Sequence, residues 1–152
     1  MSRGNVLLKM KLRSDPEMLG VVRAALLQLS EKLGLAEGDC RAVVLAVDEG
    51  LTNIIRHAYG GNTDKPIEVR FRRIKAAGDG VKQNAFEIVL EDRGATVNRA
   101  KLCGRALDEV RPGGLGLHFI RESMDKVEFC RKKGRNQLRL VKMLQTTPHG
   151  GT

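Results

Sequence analysis

Three short stretches of this 152-residue sequence carry residue types at spacings that could support chemistry. The first is AVDEGLTNIIRHAY, from Ala46 to Tyr59, in which Glu49 and Asn53 stand four residues apart. Residues at that spacing are neighbours on one face of a helix. A carboxylate there could act as a base, and a carboxamide oxygen could ligate a hard cation such as Mg²⁺. Such pairs are common, so a solvated helix face is the simpler interpretation of this stretch taken alone.

The second stretch is Asp92-Arg93-Gly94, which directly follows a segment rich in Val, Ile and Leu. A carboxylate at the end of a strand can accept a hydrogen bond from an exocyclic amine such as that of adenine. A glycine two residues later would let a flat ring approach the backbone. An ordinary turn is the alternative interpretation.

The third stretch is PGGLGLH, from Pro112 to His118, where a glycine cluster runs into a predicted helix. Free backbone amides at a helix start, with glycines that permit close approach, can cradle a phosphate. A flexible hinge is the alternative. The sequence contains neither GxxxxGK[ST] nor GxGxxG, and the HRD and DFG elements of protein kinases are also missing.

Periodicity and capping signals predict the helix that would carry the first stretch. It is predicted from Asp39 to about Tyr59, with Gly60-Gly61 as its stop signal. At 100° per residue, one side would face a core and the opposite side would be polar. The core side comprises Val44, Val47, Leu51, Ile54 and Ala58, and the polar side comprises Glu49, Asn53 and Arg56.

The remaining elements complete one α+β domain over residues 1–152. A first helix is predicted between Ser14, which has capping-box spacing to Glu17, and Gly34. A short helix is predicted over Leu115–Met124. Alternating apolar and polar residues predict strands, which would form an antiparallel or mixed sheet with the helices on one face. These strands are Val6–Leu12, Pro66–Lys75, Asn84–Glu91, Lys126–Lys132 and Asn136–Leu144.

Composition restricts the class of protein further. The 27 basic and 18 acidic side chains give a net charge of +9, which favours polyanionic partners such as nucleotide phosphates or nucleic acid. A solvated, positively charged sheet is the simpler explanation, and four Phe and one Tyr offer few rings for stacking on bases. No long apolar segment or export signal is present, so no membrane association and a cytoplasmic location are expected. The three cysteines, Cys40, Cys103 and Cys130, fit free thiols rather than a zinc site.

The order of the three stretches resembles the GHKL ATPase superfamily of gyrase, Hsp90, histidine kinases and MutL. DEGLTNIIRHAY, DRGATVN and GGLGLHFIRESMDKVEF resemble its N, G1 and G2 boxes, and are most similar to the small serine kinases that act as bacterial anti-sigma factors. The resemblance implies a Bergerat-type two-layer sandwich with an ATP lid over residues 98 to 112. Two positions differ from the usual pattern: Thr96 replaces the second Gly of the DxGxG box, and Gly134-Arg135-Asn136 replaces a Gly-Thr pair.

The resemblance also implies a role for each site residue. Glu49 would be the general base that activates the attacking hydroxyl, Asn53 the Mg²⁺ ligand, and Asp92 the acceptor for the adenine amine. The other nucleotide-binding positions would be Gly94 beside the ring, Gly114 and Gly116 under the phosphates, and Arg105 and Arg111 as lid cations near the γ-phosphate. Arg56 and His57 could line the rim.

The function implied is that of an Mg-ATP-dependent protein-serine kinase. It would bind a sigma factor as an anti-sigma factor and phosphorylate a STAS-domain anti-anti-sigma protein, with a homodimer as a further possibility. A non-catalytic, ATP-binding partner-switching module is the main alternative. Nucleic-acid binding is a weaker one, because it is supported by the net charge alone.

Overall fold

Five strands of the described chain form one sheet in the order β1-β2-β3-β5-β4, and every neighbouring pair is antiparallel. The computed structural model describes residues 5–78, 80–95 and 117–144. The predicted α+β class is therefore confirmed, with an antiparallel rather than a mixed sheet. The strands are β1 (Asn5–Arg13), β2 (Pro66–Gly78), β3 (Val81–Asp92), β4 (Lys126–Lys132) and β5 (Arg135–Met143).

The helical layer covers one face of this sheet. It comprises a 3₁₀ turn (Pro16–Met18), α1 (Leu19–Lys32), α2 (Glu37–Asn53), a π-helical turn (Ile54–Ala58) and α3 (Leu117–Ser123). Helix α2 contacts both α1 and α3. Among the described residues, no helix is long and apolar enough to span a membrane.

The predicted capping box at Ser14 is wrong. The carboxylate of Asp15 accepts the N–H of Glu17 at 2.9 Å and caps the helical segment instead. The hydroxyl of Ser14, which is fully buried, donates to the carbonyl of Asn62 at 2.6 Å and accepts the N–H of Lys65 at 3.0 Å. A residue with capping chemistry is thus used to fasten the loop that enters β2, a contact between residues about fifty positions apart that local spacing does not reveal.

The predicted bounds of α2 also change. The helix begins at Glu37, so Asp39 lies inside its first turn rather than at the cap. The α geometry ends at Asn53, and the helical segment continues in π geometry to Ala58, next to the predicted end near Tyr59. Its buried side is wider than predicted, because α1, α3 and the sheet all pack on α2. Val44 is only partly buried, whereas Val43 and Ala46 are fully buried.

Both hairpin turns are shorter than predicted. Gly78 pairs with Val81, so β2 and β3 extend through most of the segment between the predicted strands Pro66–Lys75 and Asn84–Glu91. Lys132 pairs with Arg135, and the two residues between them have positive φ, 50° at Lys133 and 75° at Gly134. Positive φ at both central residues is the type I′ pattern, whose twist matches that of the flanking strands.

Candidate active site

The C-terminal half of α2 lies directly on β3 and β5. A Cβ placed on Gly50 would come within 2.7 Å of Leu90 Cδ1 and 3.3 Å of Leu138 Cδ2, so the absence of a side chain allows this close approach. Leu90 is two residues before Asp92. The turn of α2 that carries Glu49 is therefore held against the strand whose end carries the second predicted box.

Glu49 and Asn53 differ in exposure although they share a helix face. Glu49 is half-buried, whereas Asn53 is 3% exposed. A carboxamide is neutral and can be buried with its hydrogen bonds satisfied, which is far less costly than burying a charge. Arg56 and His57, predicted to line the rim, are exposed.

The chain changes from α to π geometry immediately after Asn53. The N–H of Tyr59 donates to the carbonyl of Ile54, five residues back, at 2.9 Å. Single π turns of this kind occur frequently at functional sites. Here the turn ends the helix with the carbonyl of Ala58 accepting the N–H of Ala95 at 2.8 Å, from the loop that follows β3.

Gly94 lies in van der Waals contact with the end of that turn. A Cβ at Gly94 would lie 2.4 Å from the Ala58 carbonyl oxygen, closer than any real Cβ contact and against backbone that cannot move aside cheaply. No other residue type fits without displacing the loop. The contact brings the Asp92–Gly94 segment against the helical segment that carries Glu49 and Asn53.

The third component of the site is Asp92, a buried carboxylate that is 3% exposed. Its Oδ1 accepts the N–H of Gly94 at 2.8 Å and an Nδ2–H of Asn136 at 2.8 Å. Both neighbours are donors, and a carboxylate with two donors at one oxygen acts as an acceptor. This is the chemistry needed to receive an exocyclic amine.

Tyr59 joins three segments at the edge of the site, a role that the sequence analysis missed. Its hydroxyl donates to the carbonyl of Pro66 at the start of β2 and accepts the N–H of Arg93 at 2.8 Å. Burial raises the pKa of this phenol above its ordinary value, so the hydroxyl stays protonated at neutral pH and keeps both bonds. The only available signal was a lone tyrosine at the predicted end of the helix.

Several predicted site residues cannot be placed. Arg105, Arg111, Gly114, Gly116, Thr96 and the lid over residues 98 to 112 lie outside the described residues. Helix α3, which follows the glycine cluster in sequence, contacts α2.

The donor set fits Mg-ATP at the positions that can be tested. Asn53 carries an amide oxygen, Asp92 carries an acceptor, and the missing Cβ of Gly94 lets its loop pack on the Ala58 backbone. Within residues 5–78, 80–95 and 117–144, no group of three or more His, Cys, Asp or Glu could hold a metal. Mg²⁺ often takes one or two protein oxygens and completes its shell with phosphates and water, so a single amide oxygen suffices.

Comparison with known proteins identifies the family. The family model described as "Histidine kinase-like ATPase domain" matches residues 12–142. The chain therefore belongs to the histidine kinase-like ATPase domain family, and the predicted resemblance is confirmed. It is 30% identical over 135 residues to the serine-protein kinase RsbW of Bacillus licheniformis, covering 84% of this chain and 79% of the relative. It is 25% identical, with the same coverage, to RsbW of Bacillus subtilis strain 168.

Solved structures share the fold. A crystal structure of the RsbU and RsbW domains of a Mycobacterium tuberculosis protein superposes with a TM-score of 0.61 at 20% identity, covering 92% of this chain and 33% of that chain. A chain of the SiaB-SiaC complex from Pseudomonas aeruginosa gives 0.64 at 17% identity, covering 92% and 91%. At these identities the likeness supports the fold alone.

Proposed function

We propose that this chain is an Mg-ATP-dependent protein-serine kinase of the anti-sigma type. It binds a sigma factor and phosphorylates a STAS-domain anti-anti-sigma protein in the cytoplasm, and it associates with a second copy of itself. The observation that carries the proposal is the contact of Gly94 with Ala58, which holds the Asp92 loop against the helical segment bearing Glu49 and Asn53. The relatives named serine-protein kinase RsbW support the kinase activity.

Each residue of the site would have a role that its chemistry allows. Asp92 accepts the adenine amine, and Gly94 lies beside the ring. Asn53 holds Mg²⁺, which when bound supplies positive charge against the phosphate oxygens. The glycine and arginine positions outside the described residues keep their predicted phosphate-binding roles: Gly114, Gly116, Arg105 and Arg111.

Glu49 is proposed as the general base. The serine oxygen of the partner attacks the γ-phosphorus, the bond from that phosphorus to the bridging oxygen of ADP breaks, and the hydroxyl proton passes to the Glu49 carboxylate. The half-buried position of Glu49 suits this role, because its carboxylate can reach solvent-side substrate while being held on a helix that is fixed to the sheet.

The test is phosphoryl transfer from γ-labelled ATP to STAS-domain proteins of the same organism. Glu49→Gln should lower the transfer rate about 10²-fold or more and leave ATP affinity nearly unchanged. Glu37→Gln, an exposed residue of the same helix, is the matched control and should keep full activity. Transfer that is unaffected by Glu49→Gln would remove Glu49 as the base. ATP binding without transfer to any STAS protein would favour the non-catalytic partner-switching module.

A further inference from the structure

Behind Asp92, a row of three polar side chains crosses the sheet from β3 through β5 to β4. Asp92 is the register partner of Asn136, and Asn136 is the register partner of Arg131. Nη1 of Arg131 donates to Oδ1 of Asn136 at 2.8 Å, and Nδ2 of Asn136 donates to Oδ1 of Asp92 at 2.8 Å. Asn136 is 2% exposed, so its amide has no solvent to compensate for a wrong orientation.

The row can run in only one direction. A guanidinium has donors and no acceptor, and it stays protonated. It therefore requires the oxygen of the Asn136 amide, which leaves the NH₂ group for Asp92. A flipped amide would place NH₂ against the guanidinium and oxygen against the carboxylate, an unfavourable contact at both ends. Arg131 thus fixes Asn136 as a donor, and Asn136 together with the Gly94 N–H fixes the orientation of the Asp92 carboxylate, which is an acceptor by its own chemistry.

The row also holds the loop that carries Gly94. Nη1 of Arg131 donates to the Gly94 carbonyl at 3.1 Å. Nδ2 of Asn136 makes longer contacts of 3.4 Å with the carbonyls of Gly94 and Ala95. The same two side chains therefore set both the orientation of the Asp92 carboxylate and the position of the backbone beside the proposed ring.

We infer that Arg131 and Asn136 are positioning residues that give the site its preference for a 6-amino purine over a 6-oxo purine. The inference rests on the proposed function, because it requires the base to meet Asp92. An acceptor opposite an amine makes a hydrogen bond, whereas an acceptor opposite a carbonyl leaves two buried acceptors unpaired. A site built to bond a substrate N–H rejects analogues lacking it by far more than a site that relies on shape.

The test compares ATP with inosine triphosphate, in which a carbonyl replaces the 6-amino group, by Mg²⁺-containing calorimetric titration of the full chain. The wild type should prefer ATP about 10²-fold or more. Arg131→Glu presents acceptors only, so neither orientation of the Asn136 amide satisfies both neighbours, and the amide no longer holds the Asp92 carboxylate in one orientation. Asn136→Asp replaces the donor by an acceptor. Each variant should reduce the preference about tenfold or more. Lys132→Glu is the control: it makes the same charge change one position along β4, at an exposed residue, and should keep the wild-type ratio.

The ratio of the two nucleotide affinities distinguishes a change in specificity from a general loss of binding. Equal weakening of both nucleotides, or an unchanged ratio in Arg131→Glu and Asn136→Asp, would overturn the inference while the site stands. Absence of binding of either nucleotide by the folded wild type would instead overturn the proposed function. Should Asn136→Asp not fold, Arg131→Glu decides the question alone, because Arg131 is partly exposed.

Discussion

The two faces of the sheet differ in where their polar side chains lie and in how those side chains are paired. The face beneath the helices is apolar along most of its length, with Phe71, Ile88 and Leu140 in one cross-strand row and all fully buried. Polar side chains enter this face at its end, in the Asp92, Asn136 and Arg131 row. There a neutral amide separates the two charges, and each hydrogen bond has one permitted direction.

Part of the outer face carries charged side chains of both signs that meet directly, next to a small apolar cluster of Ile74, Ala76, Ala85 and Val141. Glu87, 4% exposed, contacts Arg139 Nε at 2.6 Å and Arg72 Nη1 at 3.2 Å. Glu91 accepts from Gln137 at 2.6 Å. Further pairs on this face join Lys9 and Arg70 to Glu68, Arg135 to Glu91, and Arg139 to Glu128.

The comparison shows why net charge was a poor guide to function. Basic residues of β2 and β5 that made the sequence suggest a polyanion surface are in part engaged by glutamates of the outer face. We propose that the chemistry lies instead where polar groups interrupt the apolar face. A buried polar group is a better guide to function than an exposed charge, because a polar group is rarely buried unless its hydrogen-bond partners are present.

The largest effect should come from the apolar face. Phe71→Ala removes a fully buried ring that contacts Phe86 with centroids 6.0 Å apart, and should lower the free energy of unfolding by about 3–5 kcal/mol. Arg73→Ala, at an exposed residue of the same strand, should change it by less than about 0.5 kcal/mol. Denaturant unfolding measures both. A smaller loss for Phe71→Ala than for any outer-face variant would reverse the assignment of the core.

An intermediate effect is expected on the outer face. Glu87→Gln removes the charge between two guanidiniums whose side chains are 26% and 33% exposed, and should cost about 1–2 kcal/mol after solvent screening. Glu128→Gln, with a side chain that is 51% exposed, should cost less than about 0.5 kcal/mol. Equal effects of the two variants would mean that burial does not distinguish the pairs of this face.

The smallest effect concerns Tyr59, where the two layers meet beside the site. Burial raises the pKa of its phenol in the folded state, so the stabilisation is complete below the unfolded value of about 10 and is lost as pH rises through the folded value. The chain has one Tyr and no Trp, so tyrosinate absorbance reports this group directly. We expect titration at higher pH in the folded than in the denatured chain.

Tyr59→Phe sharpens that result. It should lower stability by about 1 kcal/mol at neutral pH and abolish the part of the alkaline stability loss that Tyr59 contributes. A phenol that titrates at the same pH in folded and denatured chains would contradict the link that the Tyr59 hydroxyl makes between β2 and the Asp92 loop.

Local patterns predicted most of the elements. Alternation located all five strands, and the three-and-four spacing located α2, because both signals depend on residues close in sequence. The same patterns placed Glu49 and Asn53 on one helix face and Asp92 at a strand end. They could not predict the π turn after Asn53, which arises where the helix end meets the loop at Ala95.

What sequence reasoning missed depends on register. Ser14 has the chemistry of a helix cap, and only the fold shows that it bonds the loop at Asn62 and Lys65. Arg131 is one of 27 basic residues, and no local pattern in the sequence distinguishes it. Its role follows from the pairing of β3, β5 and β4, which places it two strands from Asp92, and a shift of one residue in either pairing would have turned it to the outer face.

The most direct test of the central claim is calorimetric titration with ATP, with and without Mg²⁺, of the wild type and Asn53→Ala. Asn84→Ala, at an exposed residue far along β3, is the control, and thermal melting verifies that each variant is folded. We predict Mg²⁺-dependent binding by the wild type and Asn84→Ala, and loss of the Mg²⁺ dependence in Asn53→Ala. Equal Mg²⁺-dependent affinity in folded Asn53→Ala, or no ATP binding by the folded wild type, would contradict the account.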